Sequence, residues 1–199
     1  MERLGGLIGP SGWEIQTVGA QSSPYAMAWL RYPVPMTAVP AFDAAQATWM
    51  QSGCVSVMVA SRTDANRPVI GASFGCRISA DRCGVTIFLG AATNSELIAS
   101  MQSQRAIAVV ITESATTRSI QLKASDAALV ALAPGDQERV RAYVGALAQT
   151  WALAGQPIDW TQTLLDPDAD EIIAVQFSPY IAFDQAPGPG AGTVLSERT

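Results

Sequence analysis

Histidine is absent from all 199 residues of the sequence. It is the side chain whose unperturbed pKa lies near neutrality, and it supplies many protein ligands of zinc, copper and haem iron. Its absence excludes histidine-ligated metal sites and every catalytic triad that pairs a nucleophile with histidine. Acid–base chemistry would therefore fall to carboxylates, lysine, tyrosine or a bound cofactor.

Cysteine is scarce, with three residues at Cys54, Cys76 and Cys83. An odd number without C-x-x-C spacing gives no support to a disulfide framework or a thiolate metal site. The acidic run at residues 166–170 lacks the glycine and the closing glutamate of a calcium loop. We therefore expect reduced thiols and no bound metal.

Basic residues are also few: 12 lysines and arginines against 17 acidic residues, for a net charge of −5. Because they are scattered, they do not form the basic face that a nucleic-acid-binding protein needs. The longest apolar runs, such as residues 106–111, have the length of a strand and are too short to span a bilayer. With no signal-peptide pattern at the start, we expect a cytoplasmic protein that binds neither membrane nor nucleic acid.

The length of the chain and the positions of its proline- and glycine-rich segments predict one domain with two appendages. Residues 1–40 are predicted to form an extended arm rich in proline and glycine, because proline blocks helices and central strands. Residues 41–186 are predicted to form the domain. Residues 187–199 are predicted to be a flexible tail.

Within the domain, period-two alternation and turn residues predict a series of strands interrupted by helices. The order is typical of a mostly antiparallel sheet with flanking helices, an α+β class, and not of alternating βα units. The predicted helices are 42–51, 94–102 and 134–155, and the predicted strands are 54–61, 69–79, 85–89, 107–112, 118–132 and 171–183.

Several stretches resemble the pyridoxamine 5′-phosphate oxidase-like family of FMN-binding split β-barrels. They are CVSVMVASRTDANRPVIGASFGCRIS, GVTIFLGAATNSELIASMQSQRAIAVVI and TTRSIQLKA, with the ending FDQAPGPGAG. The resemblance implies a split β-barrel that forms a homodimer and holds flavin mononucleotide (FMN) in a groove between its subunits. In that family, basic residues on the second strand and at the start of the short helix hold the FMN phosphate.

Transferred position by position, the resemblance implies a set of cofactor contacts on three strands and one helix start, but no catalytic residue. The strand segment at 118–121 is included because the family's segment crosses to the flavin of the partner subunit; an ordinary solvent face would show the same polar alternation. The candidate contacts are Ser73, Phe74, Arg77, Phe88, Leu89, Thr93, Asn94, Ser95, Arg118, Ser119 and Gln121.

The sequence departs from the family where the phosphate would bind. Thr93-Asn94-Ser95-Glu96 stands where basic residues are common, and it matches a capping box in which Glu96 reaches back to the helix start. A helix N-terminus can also bind phosphate through its own N–H groups, so both interpretations stay open. Arg77 is the nearest basic replacement, unless it pairs with Asp81.

Three hypotheses follow. The first is a dimeric FMN-binding protein, with flavin-dependent oxidoreductase activity as an open question. The second is a cofactor-free split-barrel dimer with a binding or accessory role, and the third is a deazaflavin-type cofactor in the same groove.

Overall fold

The computed structural model describes residues 41–167 and 171–197, so the predicted N-terminal arm at residues 1–40 lies outside the described residues. Within these two ranges, no helix is long and apolar enough to cross a membrane. In chain order the elements are α1 (Ala44–Met50), β1 (Val55–Arg62), β2 (Pro68–Ser73), β3 (Cys76–Ile78), β4 (Val85–Gly90), α2 (Ser95–Gln104), β5 (Ile107–Glu113), β6 (Ser119–Ala124), β7 (Ala128–Val130), α3 (Asp136–Leu153), α4 (Ile158–Leu164), β8 (Ile172–Phe177), β9 (Ile181–Asp184) and β10 (Val194–Glu197).

The strands form two sheets in which every described pairing is antiparallel. The six-stranded sheet has the order β10-β9-β6-β5-β1-β2, and the four-stranded sheet has the order β3-β4-β8-β7. This arrangement confirms the predicted class, a mostly antiparallel α+β protein with the two-sheet layout expected of a split barrel.

Three segments that the sequence predicted as single long strands are each divided between the two sheets. The segment 69–79 becomes β2 and β3, 118–132 becomes β6 and β7, and 171–183 becomes β8 and β9. Strands that pass from one sheet to another turn the corners of a barrel or sandwich. We call the connecting residues 74–75, 125–127 and 178–180 the corner segments.

The first corner segment requires glycine. Gly75 has a φ of +87°, and a Cβ at this position would lie 2.8 Å from the ring of Tyr143. A residue with a side chain would therefore be strained in its backbone and would collide with α3. The hydroxyl of Tyr143 in turn donates a hydrogen bond to the carbonyl oxygen of Val55 (2.9 Å).

The main core lies between the inward faces of the two sheets, and β4 is buried on both of its own faces. Ile87 and Leu89 point into the main core, whereas Phe88 packs on the opposite side against Val140 of α3 and Ala174 of β8. The apolar stripe that predicted α3 is confirmed, because Val140 and Leu147 are buried against the protein. The four-stranded sheet is therefore covered by α3.

The segment 187–199, predicted as a flexible tail, contains a strand. β10 pairs with β9 at the edge of the six-stranded sheet. The glycines and prolines before β10 form a hairpin loop, in which the N–H of Gly192 donates to the carbonyl oxygen of Asp184 (2.7 Å). The composition that predicted a tail is thus explained by a loop, while the domain limits themselves stay a prediction.

Candidate functional site

The start of α2 holds three of the predicted cofactor contacts. Thr93 and Ser95 are exposed, whereas Asn94, the N-cap residue, is buried. The Asn94 side chain makes no capping hydrogen bond; its Nδ2 donates to the carbonyl oxygen of Gly90 (3.1 Å). Asn94 also lies against Gly71 of β2, where a Cβ would come within 2.0 Å of its Oδ1.

The predicted capping box is wrong. Glu96 does not reach back to the helix start; its Oε1 accepts a hydrogen bond from Nη2 of Arg67, at 3.0 Å. An ion pair with a full positive charge replaces the weaker bond to a backbone N–H group. The N-cap residue Asn94 makes no side-chain cap bond either, so the start of α2, with its helix dipole, is an end that attracts anions.

Arg67 is a functional candidate that the sequence interpretation missed. It lies in the turn before β2, where its carbonyl oxygen accepts from the N–H of Thr63 (2.9 Å) and its N–H donates to the Thr63 hydroxyl (3.1 Å). Its side chain is 70% exposed. The sequence shows a basic residue directly before β2, which could have marked Arg67 as a candidate. Its proximity to α2, however, depends on how the β1–β2 hairpin packs against that helix.

Ser73, Phe88 and Leu89 were predicted as cofactor contacts, and their side chains are buried within the chain. Phe88 and Leu89 are fully buried, and Ser73 is 2% exposed. The Ser73 hydroxyl lies 2.8 Å from the carbonyl oxygens of Gly75 and Phe88, and it accepts from the Phe88 N–H at 3.2 Å. It therefore joins the end of β2 to β4 across the first corner.

Phe74 and Arg77 also serve the packing of α3. Phe74 is half-buried between the cluster around Tyr143 and the cluster around Phe88. Arg77 donates from Nε to Oδ1 of Asp136 (2.9 Å) and from Nη2 to Oδ2 (3.3 Å). The proposed pairing of Arg77 with Asp81 is therefore wrong, and the guanidinium is held at the first residue of α3.

The three predicted contacts on and before β6 have different surroundings. The guanidinium carbon of Arg118 lies 4.2 Å from the ring centre of Trp49, a cation–π contact. Ser119 is buried, and its hydroxyl is 2.8 Å from that of Thr112. Gln121 is half-buried in the middle of the sheet.

Gln121 belongs to what we call the outer face, the side of the six-stranded sheet turned away from the core. Met58 and Ile70 are 42% and 66% exposed, although both are apolar. Gln121 and Lys123 are polar members of the rows that cross this face, and Glu197 of β10 ends the second row opposite Ile181. The Lys123 amine lies 5.1 Å from the Phe183 ring centre. By cross-strand register, the rows are Ala72, Met58, Val110, Gln121, Phe183 and Val194, and next to them Ile70, Ala60, Ala108, Lys123 and Ile181.

A separate groove of about 470 Å³ lies between α3 and α4. Arg141 and Gly145 of α3 and Asp159 and Thr163 of α4 contribute to its lining. None of the predicted cofactor contacts lines it. The predicted contacts thus lie at the start of α2, on the outer face, beside Trp49 and among residues that pack within the chain.

Comparison with known proteins gives no match to a protein-family model and no match to a curated protein. Several solved structures are similar to the chain. HupZ of Group A Streptococcus is 14% identical and matches over 73% of this chain and 98% of its own, with a TM-score of 0.43. An FMN-binding protein of Nostoc punctiforme, described as related to pyridoxamine 5′-phosphate oxidase, is 13% identical over 73% of this chain and 83% of its own, with a TM-score of 0.42.

A third structure comes from Clostridium acetobutylicum and is described as related to general stress protein 26, of the pyridoxinephosphate oxidase family. It is 12% identical over 67% of this chain and 80% of its own, with a TM-score of 0.40. These proteins include members of the family that the sequence resembles. At these identities and TM-scores, the similarity carries no conclusion about the function of this chain.

Proposed function

We propose that the chain forms a homodimer through the outer face and binds a flavin nucleotide, FMN, whose phosphate lies at the start of α2. The observation that carries this proposal is the uncapped first turn of α2 with the guanidinium of Arg67 beside it. The family resemblance of the sequence names the ligand class, and the local chemistry supports it.

The donor set at the start of α2 fits a phosphate group. The Arg67 guanidinium offers several N–H donors, Ser95 carries an exposed hydroxyl, and the helix contributes backbone N–H groups. Phosphate oxygens accept from each of these donor types. These residues would hold the phosphate in place of the basic residues that the family usually has.

The outer face fits a flat, largely apolar ring system. Arg67 directly precedes β2, the edge strand of the six-stranded sheet. Ile70 and Ala72 of this strand face outward, whereas Gly71 between them faces Asn94 of α2, so the phosphate donors and the outer face lie on opposite sides of the same sheet edge. Gln121 places an amide among apolar neighbours, where it can form hydrogen bonds with the polar edge of a ring. A bound flavin supplies electron-transfer chemistry, while the protein binds and orients it.

The outer face also supports the dimer. Monomers rarely expose a contiguous apolar patch of this kind, and such patches mark interfaces. Two copies related by a two-fold axis would each cover the face of the other with the same surface. Exposed Met58 and Ile70 would then be buried in the assembly.

A cofactor-free dimer is the second candidate, and a specific observation favours it. The Arg67–Glu96 ion pair neutralises the positive charge at the start of α2. In addition, Ser73 and Arg77 are engaged in packing contacts within the chain. A dimer of this kind would present its surfaces to other partners without electron-transfer chemistry.

The cofactor is tested by purifying the full chain without added flavin, recording its visible spectrum and following its melting temperature as FMN is added. A ligand that binds only the folded state must raise the melting temperature with concentration. We expect either a yellow protein or a shift that grows with FMN. A colourless protein whose melting is indifferent to excess FMN would contradict flavin binding and favour the second candidate.

The dimer is tested by light scattering on the wild type and on Ile70→Glu, which places a charge on the outer face. We expect a dimer for the wild type and a monomer for Ile70→Glu. The matched control is Ile158→Glu, since Ile158 is an exposed isoleucine of α4 and lies off the outer face. A monomeric wild type, or equal dissociation of both variants, would contradict the proposed interface.

A further inference from the structure

We propose that Glu96 sets the ligand preference of the site at α2, by lowering its affinity for a doubly charged terminal phosphate. The chain would then bind FMN as an exchangeable ligand and would bind riboflavin, which has no phosphate, nearly as well. This inference rests on the proposed flavin-binding function and concerns a residue at which the sequence departs from the family it resembles.

The first step is the charge at the site. Glu96 lies in the first turn of α2, and its carboxylate is 3.0 Å from the guanidinium of Arg67. The pair has no net charge. A phosphate that approaches the N–H groups of this turn therefore meets a cation that is already neutralised by a carboxylate.

The second step is competition for the same donors. Glu96 Oε1 accepts from Nη2 of Arg67, one of the nitrogens with which a guanidinium binds a phosphate. A phosphate bound at this turn must either displace the carboxylate or share the guanidinium with it. Both side chains are largely exposed, at 70% for Arg67 and 61% for Glu96, so water and salt limit the effect.

The loss of affinity caused by Glu96 concerns one part of the ligand, the phosphate. The carboxylate acts on the charge of the phosphate, whereas the neutral ring is held by apolar contacts that do not depend on Glu96. FMN and riboflavin have the same ring and differ in the phosphate. The ratio of their affinities therefore reports the contribution of the site at α2.

The experiment measures the dissociation constants of FMN and riboflavin by quenching of flavin fluorescence, on the full chain at low salt. For the wild type we expect the two constants to agree within about threefold, since exposed charge pairs have small effects. Glu96→Gln keeps the size of the side chain and removes its charge, and we expect it to tighten FMN about fivefold. Riboflavin affinity should not change.

Two further variants separate this effect from a general disturbance. Arg67→Gln should weaken FMN and leave riboflavin unchanged. Glu138→Gln is the matched control, because Glu138 is an exposed glutamate in the first turn of α3, at another helix start. It should change neither constant, and the gain for Glu96→Gln should shrink as salt is added.

The outcomes distinguish this inference from the function on which it rests. If the wild type binds both flavins and Glu96→Gln leaves the affinity ratio unchanged, the role of Glu96 is wrong and flavin binding stands. A wild-type protein that strongly prefers FMN over riboflavin would overturn the role of Glu96 in the same way. Failure of every variant to bind either flavin would overturn both proposals.

Discussion

The carboxylate of Asp126 accepts the backbone N–H of Ser178, at 2.9 Å to Oδ1 and 3.2 Å to Oδ2. Asp126 lies in the corner segment between β6 and β7, and Ser178 lies in the one between β8 and β9. One side chain therefore joins two of the three places where the chain passes between the sheets. Nearby, the N–H of Tyr180 donates a hydrogen bond to the carbonyl oxygen of Lys123 (3.0 Å), which connects the same corner segment to β6.

Asp126→Ala should lower the free energy of unfolding by about 1–2 kcal/mol, because it leaves a half-buried N–H group without its acceptor. Asp126→Asn retains a carbonyl oxygen and should lose less. Ser125→Ala changes an exposed neighbour and serves as the control, with an expected change within about 0.5 kcal/mol. Urea unfolding measures all three, and equal losses for Asp126→Ala and Ser125→Ala would contradict the role of the bond.

Two glycines should respond to alanine in opposite directions. A Cβ at Gly53 would lie 2.1 Å from the Cβ of Ala146 in α3, whereas a Cβ at Gly145 would meet nothing within 4 Å. Gly53→Ala should cost about 1–3 kcal/mol through overpacking. Gly145→Ala should gain up to about 1 kcal/mol, because alanine is the better helix former.

Thermal melting of the two variants gives the sign of each change. Adding Ala146→Gly to Gly53→Ala should recover part of the loss, since it removes the colliding methyl group. A Gly53→Ala protein as stable as the wild type would contradict the close approach of this turn to α3.

Arg77→Ala should destabilise the protein without affecting flavin affinity. It removes the partner of Asp136, which is 1% exposed and also accepts the Ala133 N–H (2.8 Å). Loss of one partner of a buried pair typically costs 3–5 kcal/mol; because 31% of the Arg77 side chain is exposed, we expect about 1–3 kcal/mol. Arg62→Ala, which removes an exposed bond to Asn66, is the control.

The double variant Arg77→Ala with Asp136→Ala should lose less than the sum of the two single losses, as interacting pairs do. A reduced affinity for FMN in Arg77→Ala, with stability unchanged, would contradict this packing role and indicate that Arg77 binds the phosphate.

Alkaline pH should destabilise the protein in part through Cys76. Burial raises the pKa of this thiol to about 12 from 9.0, although the positive charge of Arg139 acts in the opposite direction. Above pH 9 the unfolded chain loses the thiol proton while the folded chain keeps it, so the unfolded state binds fewer protons and stability falls as pH rises towards 12. Burial also raises the pKa of Tyr143, which adds to the loss above pH 10.

Melting temperatures between pH 8 and pH 11 test this sign. Cys76→Ala should lose less stability over this range than the wild type, whereas Cys54→Ala, which changes an exposed cysteine, should follow the wild type. Equal slopes for the wild type and Cys76→Ala would contradict the contribution of the buried thiol.

The alternation of apolar residues was enough to predict most strands and the inward faces. Ile120, Leu122 and Ala124 were assigned to one side of a strand, and all three are buried. The pattern did not show where a strand changes sheet, because a second apolar stretch follows each corner segment within one to three residues, and the turn-favouring residues Ser125-Asp126 and Ser178-Pro179 were each read as part of one long strand. It also missed α4, since Pro157 reads as the end of a helix, whereas here it is the N-cap of the next one.

The site was predicted less completely, because it depends on partners that are distant along the chain. The local spacing of Thr93 and Glu96 fits a capping box, but Arg67 lies 29 residues before Glu96 and takes its carboxylate. In the same way, Arg77 pairs with Asp136, which is 59 residues away along the chain, and not with Asp81, which is nearer in sequence. Charges pair according to tertiary proximity, and local motifs cannot anticipate this competition.

The three corner segments have a consequence for how the protein opens. Each one makes a strand of the six-stranded sheet continuous with a strand of the four-stranded sheet, so neither sheet can separate without pulling on the other. Amide protons of β5 and β4 should therefore exchange with solvent through the same global event and with similar opening free energies, as a single cooperative unit. The amides of β10, paired with one neighbour at an edge, should exchange earlier through local fraying.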